Sequence, residues 1–171
     1  MMQGNRIVDI RPGTFGRLRR LEVLSLDGNN LTHIKPGMFG GLRKLNVLFL
    51  QKNQIEWIDP MSFVGLFTLR GLYLFSNRIL YIQKNTFYGL PWLAELNLGV
   101  NNITGFAEGG FLGLPRLLSL QLNSNKLRML VPGALNDLKV LYRLSLYYNK
   151  IAYIHKDAFI GKGISNEFRA Q

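Results

Sequence analysis

The side chains that could perform catalysis or hold a metal are few in this chain and lie far apart. Cysteine is absent, which excludes disulfides, thiolate metal ligands and cysteine nucleophiles. His33 and His155 lie near opposite ends of the 171 residues, and neither belongs to a metal-ligand or nucleophile motif. Glu22 and Asp27 are close in sequence, but without a neighbouring base they are better interpreted as surface charge. We therefore expect no enzymatic activity, no cofactor and no metal site.

The composition indicates a folded chain with a large excess of positive charge. Hydrophobic residues make up 47% of the chain and charged residues 18%, which argues against intrinsic disorder. No apolar run reaches the roughly 18 residues that a membrane span requires, so we expect no membrane insertion. Lysine and arginine number 21 against 10 acidic residues, and the resulting net charge of +11 favours anionic partners through long-range attraction.

The elements that must position any binding residues are copies of one repeat of 24 residues. Six blocks open at Leu21, Leu45, Leu69, Leu93, Leu117 and Leu141, and leucine returns three and five residues later in each. An asparagine follows the third leucine at Asn29, Asn53, Asn77, Asn101, Asn125 and Asn149, and Asn5 marks a truncated earlier copy. A later aromatic position holds Phe15, Phe39, Phe63, Phe87, Phe111 and Phe159, with Leu135 as the one substitution.

These spacings predict a stacked architecture. Alternation around the leucine pair predicts a short strand whose leucines point inward and whose flanking residues point outward. One copy cannot bury its apolar residues alone, so neighbouring copies must stack as parallel strands over a shared core with the phenylalanines beneath. The recurring asparagine has two donors and an acceptor, which suits it to pair backbone groups where each coil turns away from its strand.

This pattern over residues 5 to 161 resembles the 24-residue leucine-rich repeat of animal extracellular proteins, as in Toll-like receptors, small leucine-rich proteoglycans, Slit-like proteins and variable lymphocyte receptors. The resemblance implies an α/β solenoid shaped like a horseshoe, with a concave parallel sheet and short turns or 3₁₀ segments on the convex side. It implies a non-enzymatic recognition module for adhesion, receptor signalling or innate immune recognition. It also implies an extracellular location or the ectodomain of a membrane protein.

The same alignment of copies gives the expected organisation of the chain. Residues 1–20 form a truncated first repeat, 21–164 six repeats, and 165–171 an irregular tail. Extracellular members of the family usually carry cysteine-rich caps, and none is recognisable in this sequence, so we interpret it as a fragment. Exposed end coils leave unpaired strand edges, which favours self-association.

The candidate ligand-binding residues occupy the third, fifth, seventh and eighth positions of the repeats, which the strand pattern turns outward. They are Phe49, Gln51, Lys52, Tyr73, Phe75, Asn97, Gln121, Asn123, Arg143, Tyr147 and Tyr148. Phe49 and Tyr73 share one position in adjacent copies and should form an apolar platform. Aromatic residues with arginine are typical of protein-binding hot spots, which predicts a protein ligand. The alternative is that these rings only pack across strands.

A second hypothesis concerns the positive charge. The residues after the asparagines form a row of Arg6, Asn30, Gln54, Arg78, Asn102, Lys126 and Lys150, and further cations precede the strands at Arg17, Arg19, Arg20, Arg43, Lys44, Arg116 and Lys139. An acidic polysaccharide such as a glycosaminoglycan could follow such a row, a nucleic acid is less expected, and a solvated surface is the simpler interpretation. Asn30 and Asn102 begin glycosylation sequons, and glycans there would block the row.

Overall fold

The protein is described by a computed structural model that covers residues 1–133 and 135–159. Within these residues, three-residue parallel strands stack in chain order into a six-stranded sheet. Its strands are β1 (Val23–Ser25), β3 (Val47–Phe49), β5 (Gly71–Tyr73), β6 (Glu95–Asn97), β7 (Ser119–Gln121) and β9 (Arg143–Ser145). Four shorter strands form two parallel pairs on another side of each coil: β2 (His33–Ile34) with β4 (Trp57–Ile58), and β8 (Met129–Leu130) with β10 (Tyr153–Ile154). The expected tail at 165–171 lies outside the described residues.

The register of the sheet follows the sequence period, which confirms the predicted solenoid. Leu24 pairs with Leu48, and Leu48 with Leu72, so equivalent residues of successive copies are neighbours. The leucine at each strand centre and the leucine two residues later point into the coil, as Leu48 and Leu50 do with no exposed surface. A run of stacked leucines therefore closes a continuous core that no single copy could form.

The recurring asparagines bridge each coil to the one before it. Asn53 donates from Nδ2 to the carbonyl oxygens of Leu26 and Leu50, both at 3.0 Å, and its Oδ1 accepts the backbone N–H of Leu31 at 3.0 Å. Equivalent bonds recur at Asn29, Asn77, Asn101, Asn125 and Asn149. Asn5 is exposed and bonds only to the carbonyls of Met2 and Gln3 in its own turn. The asparagine of each complete copy thus pairs backbone groups that would otherwise be buried without partners.

A column of phenylalanines fills the side of the core opposite the sheet. Phe39, Phe63, Phe87 and Phe111 are buried, and successive ring centroids lie 6.0 Å apart with nearly parallel planes. Phe15 is buried as well, whereas Phe159 is only partly buried. The 6.0 Å spacing of these rings exceeds the roughly 4.8 Å between neighbouring strands of a sheet, so the coils lie further apart on this side than on the sheet side.

The convex segments are turns, and no α- or 3₁₀-helix occurs among the described residues. This is the turn alternative of the prediction, and it leaves the described chain without a helix able to cross a membrane. Glycine is required where coils touch: a Cβ on Gly41, whose φ is +95°, would lie 2.6 Å from the Cα of Gly16. Such a contact leaves no room for a side chain where these two convex turns meet.

The backbone turns left-handed at the eighth position of each copy, just before the asparagine. Lys52, Ser76, Val100, Ser124 and Tyr148 all have φ between 53° and 55°. The conformation is unusual for a β-branched residue such as Val100. It ends the extended direction of the strand and brings the following asparagine inside the coil. The eighth residue therefore lies at the rim of the concave sheet and not on the sheet itself.

Candidate ligand-binding surface

The structure places Phe49 and Tyr73 face to face on the concave sheet. They are register partners on β3 and β5, and their ring centroids lie 5.1 Å apart with an interplanar angle of 18°. Both side chains are half-buried, so part of each ring faces solvent. The pair forms the aromatic platform that the repeat positions predict, although the contact alone does not distinguish binding from cross-strand packing.

Tyr73 lies flat because its neighbour on the same strand has no side chain. A Cβ on Gly71 would come within 3.1 Å of Cε2 of Tyr73, so the ring occupies the space that this glycine leaves. The phenol O–H then reaches the next strand and donates to Oε2 of Glu95 at 2.7 Å. Gly71, Tyr73 and Glu95 therefore fix the orientation of the platform across two strands.

This arrangement keeps the Tyr73 phenol protonated. Burial, the hydrogen bond to Glu95 and the negative charge of that carboxylate together raise the pKa of Tyr73 from 10.0 to about 12. At neutral pH the group therefore acts as a donor to Glu95, and its oxygen can still accept a hydrogen bond from a ligand.

Gln51, Lys52 and Phe75 surround the platform at the ends of the strands. Gln51 and Phe75 are half-buried, and Lys52 is exposed at its left-handed rim position. Among the described residues, Oε1 of Gln51 is a buried acceptor without a hydrogen-bond partner. A donor from a ligand would satisfy this oxygen, and such orphaned buried atoms are uncommon in folded proteins.

The polar residues in the middle of the concave surface contribute less accessible surface than expected. Asn123 is only 9% exposed, and its Oδ1 lies where a Cβ on Gly99 would come within 2.8 Å. Asn97 uses its Oδ1 to accept the backbone N–H of Gly99 at 3.0 Å. Gln121 is half-buried beside Asn97 in the sheet register. Asn97 and Asn123 thus pack closely around Gly99 in addition to facing the concave side.

The C-terminal cluster lies apart from the platform. Tyr147 and Tyr148 meet edge to face with centroids 5.2 Å apart, and Arg143 is exposed on β9. This cluster lies three strand spacings along the sheet from Tyr73, which corresponds to about 15 Å. The structure therefore brings the predicted site residues together as two clusters on one surface.

A tryptophan that the repeat pattern does not single out contacts two cations just before the strands. Trp92 is 43% exposed, and the guanidinium of Arg116 lies 3.9 Å from its ring centroid, with that of Arg70 at 5.8 Å. Trp92 and Arg116 occupy the same position in adjacent copies, so a comparison of that position could have found the pair.

The residues considered first for chemistry remain apart. Nε2 of His33 lies 2.8 Å from Oδ1 of Asp59, and Nδ1 of His155 lies 3.7 Å from Oδ2 of Asp157. Within residues 1–133 and 135–159, no three histidine or acidic side chains are grouped closely enough to hold a metal ion. The first pair joins two adjacent coils, the second lies within one coil, and the two pairs are in different parts of the chain.

The row that follows the asparagines is continuous. The backbone N–H of Asn30 donates to the carbonyl of Ile7, and the N–H of Asn102 donates to that of Ile79. Arg78, Lys126 and Lys150 are exposed along this row, and Arg78 faces Glu56 with a 3.9 Å separation. The two sequon asparagines are half-buried, so glycosylation of either one stays a prediction.

Comparisons with known proteins agree with the architecture. A family model described as leucine rich repeat matches residues 1–55, 19–79, 67–127 and 115–162. A solved structure of TLR13 in complex with ssRNA13 is similar over 91% of this chain, with a TM-score of 0.85 and 29% sequence identity. The match spans 22% of that TLR13 chain. No curated protein sequence matches the chain.

Proposed function

The chain belongs to the leucine-rich repeat family, and we propose on this basis that it is a non-enzymatic recognition module that binds a protein ligand on its concave face. The module would act in adhesion, receptor signalling or innate immune recognition. It would belong to an extracellular protein or to the ectodomain of a membrane protein. The likeness to TLR13 supports ligand binding in general, because that protein was solved with a bound ligand.

The observation that carries the proposal is the partly exposed stack of Phe49 and Tyr73 on the concave sheet. Large aromatic side chains on a solvent-facing sheet supply apolar area at low entropic cost, and tyrosine and arginine are enriched at binding hot spots. Glu95, Gln51 and Lys52 surround the rings with polar groups, as a rim of hydrogen-bonding partners does at protein interfaces. Arg143, Tyr147 and Tyr148 would provide a second contact for the same ligand.

The test is a screen of the chain against a panel of recombinant secreted proteins and receptor ectodomains, followed by a double substitution. We expect Phe49→Ala with Tyr73→Ala to lower the affinity for each ligand by about tenfold or more, since truncation of a hot-spot side chain costs above about 1 kcal/mol of binding free energy. Surface plasmon resonance measures the change, and far-UV circular dichroism checks that the fold persists.

Trp57→Ala with Tyr81→Ala is the matched control. These exposed rings occupy one repeat position in adjacent copies away from the concave sheet, and Tyr81 lies over Gly105 much as Tyr73 lies over Gly71. The control should leave affinity unchanged. Equal affinity of the concave variant and the unaltered chain for every ligand in the panel would remove the concave platform from the proposal.

A second candidate function is binding of an acidic polysaccharide or a nucleic acid along the row of Arg6, Arg78, Lys126 and Lys150. The likeness to a structure solved with ssRNA13 supports this second candidate function. A 20-nucleotide uridine RNA and a heparin dodecasaccharide are suitable probes. Affinity for either should fall steeply from about 50 to about 200 mM salt if several anionic groups are neutralised. Lys126→Ala with Lys150→Ala should reduce that slope, and a shallow slope would argue against the candidate.

A further inference from the structure

A continuous strip of exposed side chains runs along the side of the solenoid where each coil enters its strand. The backbone defines the strip, because the N–H of Asn46 donates to the carbonyl of Glu22, and the same bond links Arg70, Ala94, Leu118 and Tyr142 in turn at 2.8 to 2.9 Å. We call the residues at this position and the two that end each preceding copy the pre-strand strip. Its members of interest are Arg19, Arg20, Arg43, Lys44, Phe67, Arg70, Trp92, Arg116, Leu118, Lys139, Val140 and Tyr142.

Within residues 1–133 and 135–159, no cation of the strip forms an ion pair with an acidic side chain. The ion pairs of the described residues all lie elsewhere, and they include Lys35 with Asp9 and Arg78 with Glu56 on the opposite side of the coils. The strip itself contains one carboxylate, Glu22, against seven cations. Its positive charge is therefore available to an anionic partner, whereas part of the charge on the opposite side is neutralised within the fold.

Two of these cations are held in place by an aromatic ring. The guanidinium of Arg116 lies 3.9 Å from the centroid of Trp92 and that of Arg70 lies 5.8 Å from it. A guanidinium that stacks on an aromatic ring keeps its N–H donors directed outward, and these donors fit a carboxylate in bidentate geometry. Trp92 thus prepares both arginines for an anion without neutralising them.

From its third coil onward the strip is apolar as well as basic. Phe67 is 58% exposed, Leu118 50% and Tyr142 56%; Phe67 lies one coil before Trp92, and Leu118 and Tyr142 lie on the two coils after it. Neighbouring exposed apolar residues of this size mark interaction surfaces. Leu118 and Val140 have no polar group to offer a sulfated sugar or a phosphate backbone, whereas the apolar side chains of a protein can bury them.

We propose that the pre-strand strip is a docking surface for an extended protein segment that carries carboxylates at one end and large apolar side chains at the other. Carboxylates contact Arg19, Arg20, Arg43 and Lys44, and apolar side chains cover Phe67, Trp92 and Leu118. Six coils at about 4.8 Å spacing give roughly 24 Å, which about seven extended residues can span. This surface is separate from the concave platform, so either can fail without the other.

The experiment uses the whole chain and a phage-displayed library of random 12-residue peptides as the probe. Panning is run against the unaltered chain, with a strip variant (Arg43→Ala, Lys44→Ala, Trp92→Ala) as the counter-selection. We expect the recovered peptides to combine aspartate or glutamate with aromatic or aliphatic residues. Recovery of purely acidic peptides, or of peptides that bind the strip variant equally well, would overturn the proposal.

Affinities of the recovered peptides then separate the two halves of the strip. Trp92→Ala should weaken them by about tenfold or more, as for other tryptophan anchors. Arg43→Ala with Lys44→Ala should weaken them and reduce the dependence of affinity on salt. Trp57→Ala is the matched control, since the two tryptophans are similarly exposed, and it should change affinity less than about twofold, as expected outside a hot spot.

Two further measurements test the docking of the peptides if Trp92→Ala disturbs the fold. Leu118→Glu places a carboxylate on an exposed position of the strip and should repel the peptides while circular dichroism stays unchanged. Uridine RNA and heparin serve as competitors. If both bind as tightly as the peptides and Leu118→Glu affects all three ligands alike, the strip is a general polyanion surface and the protein-docking proposal is wrong.

Discussion

Two aromatic stacks run through this solenoid, one inside the core and one on the concave surface. Phe39, Phe63, Phe87 and Phe111 stack at 6.0 Å without contact with solvent, whereas Phe49 and Tyr73 stack at 5.1 Å with part of each ring exposed. Both stacks arise because residues at the same position of neighbouring copies lie side by side. Stacking geometry by itself therefore does not assign a role to an aromatic ring, whereas the position of the ring within the coil does.

The two stacks also differ in how far they extend. The inner position holds phenylalanine in copy after copy, so a ring such as Phe87 has a neighbour on both sides. The concave position changes to Asn97 and Gln121 after Tyr73. The inner stack is therefore part of what defines the repeat, while the concave stack is a local feature that the fold does not need.

The largest expected difference between the stacks is in stability. Phe87→Ala should lower the free energy of unfolding by about 3–5 kcal/mol, because it opens a cavity between two rings. Phe49→Ala removes a partly exposed ring and should cost less than about 1 kcal/mol. Urea unfolding followed by circular dichroism measures both. Similar losses from the two substitutions would break the distinction between the stacks.

A smaller effect is expected from the polar residues that accompany each surface. Asn77→Ala should cost about 1–3 kcal/mol, because the N–H of Ile55 and the carbonyls of Leu50 and Leu74 lose their buried partner. Asn102→Ala, on the half-buried row outside the core, should stay within about 0.5 kcal/mol. Urea unfolding measures both variants. Equal losses in the free energy of unfolding for Asn77→Ala and Asn102→Ala would indicate that the bonds of the recurring asparagines add nothing to stability.

The concave stack should be visible in the alkaline titration of the protein. The pKa of Tyr73 is raised to about 12, so its phenol stabilises the fold fully below pH 10, and this contribution is lost as pH rises through 12. The ultraviolet difference spectrum between the unaltered chain and Tyr73→Phe isolates this one phenol. Glu95→Gln should lower its pKa, and a titration near pH 10 in the unaltered chain would contradict the described contact.

The smallest expected effect comes from adding one methyl group under the concave ring. Gly71→Ala places a Cβ 3.1 Å from Cε2 of Tyr73, so the ring must tilt away from the sheet and become more exposed. The pKa of Tyr73 should then fall toward its ordinary value, with a stability change within about 1 kcal/mol. Gly105→Ala under Tyr81 is the control and should leave the Tyr73 titration unchanged.

The repeated positions made most of the fold predictable from sequence. Leucines such as Leu48 and Leu50 and asparagines such as Asn53 recur in every copy. The position of such a residue within the repeat is enough to predict whether it lies in a strand, in the core or in the row of asparagines that bridges the coils. The prediction of parallel register between Phe49 and Tyr73 followed from the period alone. What stacking dictates is visible in the sequence, because every copy must satisfy the same neighbours.

The features that sequence reasoning missed depend on variable positions in neighbouring coils. The contact between Trp92 and Arg116 requires both the tryptophan of one copy and the cation of the next. The close packing of Asn123 follows from Gly99 on the adjacent coil. The outer pairing of β2 with β4 has no distinct residue signature, since it rests on backbone bonds between His33 and Trp57 segments. Such pairwise effects are not visible when each copy is considered alone.

The recurring asparagine of each complete copy bonds to the coil before its own, and this affects how the number of repeats can change. Asn53 contacts the coil of Leu26, and Asn77 contacts the coil of Leu50, so the asparagine bonds of one unit involve only that unit and its immediate predecessor. Insertion or deletion of one complete internal unit would recreate the same bonds at the new junction. Gene-level gain or loss of units can therefore lengthen or shorten the surface available to partners while leaving the interior chemistry of every remaining unit unchanged.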